Sequence, residues 1–389
     1  MAMTTVKTKN YKIGYNNLQK KNGINLWRFF FTGKNERTNE ENSFFLEFET
    51  INPAISPSQI ISSLKQKEIR AEDLQSALIG NSIDAIKDNS IKPSYCVMRI
   101  AKLGKNGKQL CEYFPINELQ YNQKDFELKY GNKLITDNQI SGFITVSSED
   151  LIKKSECLTD QGYATWHLEY KIIDSVTSGY KHEEGRWFPL GLKTMFSGRI
   201  NFDGEDYLVH PKISTGYIDR YFGSGLLKKW MHIHCSDLTS LISGKKIENS
   251  AFCIQGIFGE RVSLQGNIED IPLSFQADKS KHSYNCVFDC SQLPGIEQAS
   301  EQQLHWSFSI NDKKWIIDIE IYCRLNELLN RFLESPDGSK KGLNLLEGGS
   351  GYGEVKIYHQ NGKSSIEQIE QAKLSKVMCE FGESDIYGE

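Results

Sequence analysis

Residues 196–209 constrain the fold more than any other part of this chain. Side chains alternate along residues 196–202, Asp203-Gly204 follows, and residues 205–209 resume the two-residue period. Asp-Gly supplies the positive φ angles of a tight hairpin turn, so the segment predicts an antiparallel pair. Two further hairpins read the same way. Residues 97–103 and 109–114 flank Lys105-Asn106-Gly107-Lys108, and residues 304–310 and 315–322 flank Asn311-Asp312-Lys313-Lys314. In the last of these, Trp306, Phe308 and Ile310 fall on one covered face. Strand-period segments recur along most of the chain, and 20 Phe, 17 Tyr and 6 Trp against 9 Pro suit pleated, half-buried surfaces better than helix bundles. The sequence predicts a mainly β protein.

At roughly 150 residues per domain, 389 residues suggest two domains, with a boundary expected near Ser224 that divides the chain into 1–224 and 225–389. With 46 Lys and Arg against 50 Asp and Glu, the formal net charge of −4 argues against a nucleic-acid binder, which needs a basic stripe to neutralise phosphates. The longest apolar runs, such as Phe29-Phe30-Phe31 and Phe44-Phe45-Leu46, fall far short of the roughly 20 residues of a membrane helix. No transmembrane segment is expected, and peripheral membrane contact stays open. Lys7, Lys9 and Lys12 have no apolar stretch behind them, so the N-terminus does not read as a secretory signal and the expected location is the cytoplasm. The 9 Cys residues, odd in number and scattered, read as reduced thiols used as small hydrophobes.

Two stretches break the β period. Residues 56–88, with Pro57 near a start, Ile60, Ile61 and Leu64 at helical spacing and Gly80 at a close, predict a helical insertion in the first domain. Residues 365–372, Ser-Ile-Glu-Gln-Ile-Glu-Gln-Ala, predict a shorter helical or irregular run.

Several motifs could carry chemistry. The glycine-rich residues 348–353 precede the β-patterned residues 354–358, whereas a phosphate cradle needs a helix N-terminus there, so a structural turn or a close backbone approach fits better. His232 and His234 share one face of an extended segment, but two imidazoles do not close a metal site, and no metal is expected; lining a cavity is the plainer role. Cys286 and Cys290 have the wrong spacing for a zinc knuckle. In residues 216–225, Tyr217, Asp219 and Tyr221 fall on one face. If that face lines an apolar pocket, desolvation raises the Asp219 carboxyl and makes it a usable proton donor. The alternative is a structural Asp219 that pairs with Arg220 or caps a turn.

Residues 187–381 resemble the tocopherol cyclase family and its relatives, the carotenoid 1,2-hydratases and AttH-type proteins. The likeness rests on the hairpin from Gly198 to Gly204, on Tyr217-Ile218-Asp219-Arg220-Tyr221-Phe222-Gly223, on the Trp-bearing residues 229–235, on Gly351-Tyr352-Gly353-Glu354-Val355-Lys356, and on Arg186-Trp187-Phe188-Pro189. Phe222 stands where the motif has Trp, and His232 and His234 stand where the cyclases have an aromatic and a Gln. The resemblance implies two lipocalin-like antiparallel β-barrel domains with an apolar cavity near their junction. It also implies a hydrophobic, isoprenoid-like ligand and cofactor-free, acid-catalysed cyclisation or hydration of an alkene. Asp219 would be the proton donor, Tyr217 and Trp187 would orient it or face the cation, and Tyr221, Phe222, Trp230, His232 and His234 would line the ligand. A non-catalytic carrier on the same scaffold is the rival reading, and a metal-dependent enzyme built on His232 and His234 is a third.

Overall fold

A computed structural model describes residues 23–53, 94–122, 126–153, 159–176, 179–182, 184–214, 216–225, 229–257, 261–269, 271–278, 285–293, 302–331, 336, 344–361 and 365–383. These residues form two antiparallel sheets, thirteen strands between Ile24 and Gly223 and eleven between Lys229 and Glu383. The expected mainly β, barrel-like architecture is what the chain adopts. The helical insertion expected at residues 56–88 lies outside the described residues.

The first sheet runs from Lys108–Pro115 through Tyr95–Lys102, Glu41–Ile51 and Ile24–Asn35 to Gly185–Phe202, Gly162–Asp174 and Gln139–Val146. Between Ile24–Asn35 and Gly185–Phe202, Glu205–Val209 fills one half of the gap and Gly216–Gly223 the other. The sheet closes on itself where Phe114 stacks on Tyr130 with ring centres 3.6 Å apart and Lys133 meets Glu112 at 2.7 Å. Inside it lie Trp27, Phe29, Phe31, Phe44, Leu46, Phe48, Trp166 and Phe196. The second sheet runs from Ile271–Asp278 to Asn285–Leu293 and curls until Phe275, near one edge, and Phe288, at the other, share a core with Trp306 and Phe308.

The three expected hairpins form. At the first turn Asp203 has φ 52° and Gly204 has φ 85°, the left-handed pair that the tight turn requires. One expectation is corrected: residues 365–372 are neither helical nor irregular. They begin the strand Ser365–Glu383, which pairs along Asn344–Asn361. Glu, Gln and Ala favour helix locally, but an already formed neighbouring strand supplies a full ladder of partners, and tertiary pairing outweighs propensities of a few tenths of a kcal/mol per residue.

Strands at the middle of each sheet are buried on both faces. Along Ile24–Asn35, Trp27, Phe29 and Phe31 enter the first core while Leu26, Arg28 and Phe30 point the other way. Along Lys229–Cys235, Met231, Ile233 and Cys235 enter the second core while Trp230, His232 and His234 point out of it. The two outer faces pack against each other, so the junction is a third buried layer. Gly349 makes the approach close: a Cβ there would sit 2.3 Å from Ser43 Cβ, and Ser43 Oγ donates to the Gly349 carbonyl at 3.0 Å. Close backbone approach is therefore the role of this part of the glycine-rich run.

Candidate functional site

Strand register builds the site. Asp219, Arg28, Glu47 and Arg99 stand directly opposite one another across four neighbouring strands of the first sheet. On the second sheet Gln255, His232, Glu380 and Glu347 stand in register across four more. The two polar rows meet face to face in the junction layer.

Arg28 is their centre. Its Nε donates to Asp219 Oδ1 at 3.2 Å, and Nη2 donates to Asp219 Oδ2 at 2.8 Å and to His232 Nδ1 at 2.9 Å. Nη1 donates to Glu347 Oε1 at 3.0 Å and to Glu380 Oε2. All five guanidinium N–H groups thus have an acceptor. Arg331 continues the chain of alternating charge, donating to Glu347 Oε2 at 2.6 Å and Glu47 Oε1 at 2.7 Å, and Arg99 donates to Glu47 Oε1 at 2.7 Å and Glu49 Oε2 at 2.5 Å. Every one of these side chains is at most 3% exposed. Charges so deeply buried persist only when paired and hydrogen-bonded, which this network achieves.

Two indoles add donors to the carboxylates, one on each row. Trp187 Nε1–H donates to Asp219 Oδ2 at 2.6 Å, and Trp230 Nε1–H donates to Glu380 Oε1. Asp219 therefore takes three hydrogen bonds from groups that only donate, the arrangement of a carboxylate that holds Arg28 and Trp187 in position. Its partner is Arg28, not its neighbour Arg220, which points into the first barrel, lies 3.7 Å from the Trp27 ring centre and donates to Asn25.

The carboxyl groups are differentiated. Burial pushes Glu347 up, and neighbouring Glu380 and Glu47 add to this against the pull of Arg28 and Arg331. Burial also opposes the charge on Glu380, but Arg28 and the Trp230 indole N–H outweigh it and hold that carboxyl down. Arg28 is raised despite burial because three carboxylates surround it.

Since Arg28 can only donate, His232 Nδ1 accepts, which fixes a neutral ring with its proton on Nε2. Burial lowers His232. Its Nε2 lies 3.0 Å from Tyr217 Oη and 3.3 Å from Cys253 Sγ. His234 stacks on Tyr217 with ring centres 4.1 Å apart, donates Nε2–H to the Leu192 carbonyl at 2.7 Å, and is pushed down to about 3 by burial. Both imidazoles share a face as expected, yet both nitrogens of His232 are engaged by protein. Among the described residues no cluster of three His, Cys, Asp or Glu is arranged to hold an ion.

Beside the polar row lies a cavity walled by Ile24, Leu26, Trp187, Tyr221, Trp230 and Leu345, with Arg28, Glu47, Glu49, Arg331 and Glu380 as its polar side. Its enclosed space is about 30 Å³, room for about one or two waters, within about 450 Å³ that includes open solvent. A molecule larger than that would fit only if these side chains parted. Of the residues named from sequence, Trp187, Tyr221 and Trp230 line this cavity, and Asp219, Tyr217, His232 and His234 form the layer beside it. Phe222 does not join them; it points toward the first core, edge-on to Phe188 with ring centres 6.1 Å apart. Sequence reasoning missed Arg28, Glu47, Arg99, Arg331, Glu347 and Glu380. Four of them carried a readable sign, a lone charge inside an apolar strand run: Trp27-Arg28-Phe29, Leu46-Glu47-Phe48, Met98-Arg99-Ile100 and Cys379-Glu380-Phe381.

No known family's sequence profile matches the chain, and no curated protein does. Among solved structures it is similar to the AttH-like protein NE1406 from Nitrosomonas europaea, at 11% identity and a TM-score of 0.48, over 98% of this chain and 97% of that one. It is also similar to kievitone hydratase from Nectria haematococca, at 10% identity and a TM-score of 0.43, over 92% of this chain and 90% of that one.

Proposed function

We propose that the two sheets act as two domains, divided near Ser224, which bind a hydrophobic, isoprenoid-like small molecule in the junction cavity and add a proton to one of its alkenes. Water or an internal oxygen then captures the carbocation, giving hydration or cyclisation as in the tocopherol cyclase and carotenoid hydratase group that the sequence motifs resemble. The observation that carries this reading is the pairing of an apolar, indole-walled cavity with a buried carboxyl network on one side. Trp187, Trp230 and Tyr221 offer π faces to a developing cation, and their burial keeps competing water away.

The proton belongs to the Glu347–Glu380 pair. These carboxyls are directly opposite on adjacent strands, both bound to Arg28 Nη1, and their preferences are pushed apart as in two acids that share one proton. Glu347, which burial holds up, is the protonated member at rest; Glu380 lines the cavity and, once that proton passes to it within the pair, delivers it to the alkene carbon. Loss of a proton from the captured water or hydroxyl restores the pair, so no cofactor is consumed. Asp219, the donor expected from sequence, instead positions Arg28 and Trp187.

A carrier is the second reading, favoured by one observation: all five N–H groups of Arg28 are already satisfied by protein. Deuterium separates the two. The hydrophobic extract of purified protein, returned to the protein in D2O buffer, should gain carbon-bound deuterium by mass spectrometry with the wild type and not with Glu380→Gln. Recovery of the extract unlabelled from the wild type would leave the carrier reading.

A further inference from the structure

Resting on the cavity reading above, we infer that the junction cavity selects a hydrophobic molecule bearing a neutral oxygen, such as an alcohol, phenol or ketone, and rejects the matching carboxylate. Arg28 has no N–H left for a ligand anion. The other donors that line the cavity are also spent: Trp187 on Asp219, Trp230 on Glu380, and the Tyr221 hydroxyl on the Gly225 carbonyl. Among the lining side chains one nitrogen stands without an acceptor among the described residues, Arg331 Nε. Arg331 is 2% exposed and pinned by Glu347 and Glu47 through its two Nη atoms, with its guanidinium 4.2 Å from the Phe45 ring centre. A buried N–H without an acceptor is costly, and a ligand oxygen beside it relieves that cost.

Charge sets the sign of the selection. A ligand carboxylate would enter next to Glu47 and Glu380, while the cations that could offset it are already held by protein carboxylates. It would be an additional buried negative charge with no dedicated partner. A hydroxyl or carbonyl oxygen accepts from Arg331 Nε without that penalty, and a plain alkane fills the walls but leaves the N–H unsatisfied.

The test titrates intrinsic tryptophan fluorescence of the full chain with 1-decanol, 2-decanone, decane and decanoate at a pH where decanoate is ionised. Saturable quenching by decanol and decanone, with decanoate weaker by about tenfold or more, is the expected result. Decanoate binding as tightly as decanol would overturn the selection and leave the cavity reading intact. Saturation by none of the four would overturn the cavity reading and this inference with it. Arg331→Lys keeps the charge and removes Nε, so it should erase the preference for decanone over decane. A folded variant that retains that preference would remove Arg331 from the account, and should the variant not fold, the ligand series in the wild type still decides.

Discussion

Arg28 holds both oxygens of Asp219, through Nε at 3.2 Å and Nη2 at 2.8 Å, although 191 positions separate the two residues in sequence. The same guanidinium reaches Glu347 and Glu380 on the other sheet. One side chain thus joins the two halves of the molecule, and its removal has effects unlike those of removing any one partner. Arg28→Met would leave Asp219 and Glu380 buried without their main counter-charge, and should cost about 3–5 kcal/mol of unfolding free energy in urea. Asp219→Asn preserves shape and one acceptor oxygen, and should cost about 1–3 kcal/mol. A smaller loss for Arg28→Met than for Asp219→Asn would contradict its central place.

Trp187 and Trp230 donate to carboxylates on opposite sides of that guanidinium. Each Trp→Phe change keeps a ring in the wall and deletes the N–H, at an expected cost of about 1–3 kcal/mol. Both losses are felt by Arg28, so the double variant should not be additive. A double-mutant cycle should give a coupling above about 0.5 kcal/mol, and strict additivity would mean that the two indoles do not communicate through the network.

His234 predicts the acid response. Its ring is pushed down to about 3 by burial, while an unfolded His titrates near 6.5. Between those values the unfolded chain binds more protons, so stability is full above the unfolded value and falls as pH drops from about 6.5 toward about 3, at roughly 1.4 kcal/mol per pH unit for each such group. His232 is lowered too and acts in the same direction. Glu347 is raised and acts oppositely: its contribution is present at low pH and fades as pH rises through its folded value. Urea midpoints at pH 7, 5.5 and 4.5 should fall in that order, with a shallower fall in His234→Gln, whose amide can still donate to Leu192. Equal slopes would place His234 outside the titration.

Gly349 sets how close the two sheets come. An added methyl would meet Ser43 Cβ at 2.3 Å and Phe30 Cζ at 2.8 Å, so Gly349→Ala forces the sheets to shift. Overpacking of this kind should lower stability by about 1–3 kcal/mol, read as a drop in melting temperature. An unchanged melting temperature would show the junction to be looser than the contact implies.

The fold was legible where local chemistry decided it. Asp203-Gly204 dictates a turn from two residues, and the alternation of Trp306, Phe308 and Ile310 names a face. At residues 365–372 Glu, Gln and Ala speak for helix, while the ladder that makes them a strand comes from Asn344–Asn361. In the site, alternation grouped Tyr217, Asp219 and Tyr221 and brought His232 and His234 to one face. It could not find their partners. Arg28 reaches Glu380 across 352 positions, and a single sequence holds no record of that distance. What it does hold is the lone charge in an apolar run, at Arg28, Glu47, Arg99 and Glu380, and strands buried on both faces give such a residue nowhere to point except a second buried layer.

Binding at the junction is the claim on which the rest depends, and energy transfer to a neutral apolar probe measures it directly. N-phenyl-1-naphthylamine should saturate at a single site in the wild type, with its emission excited through tryptophan because Trp187 and Trp230 form the walls. Leu26→Phe, which fills the cavity from its apolar side, should weaken that binding by about tenfold. Equal binding to the wild type and Leu26→Phe, or no saturable transfer in either, would contradict the account.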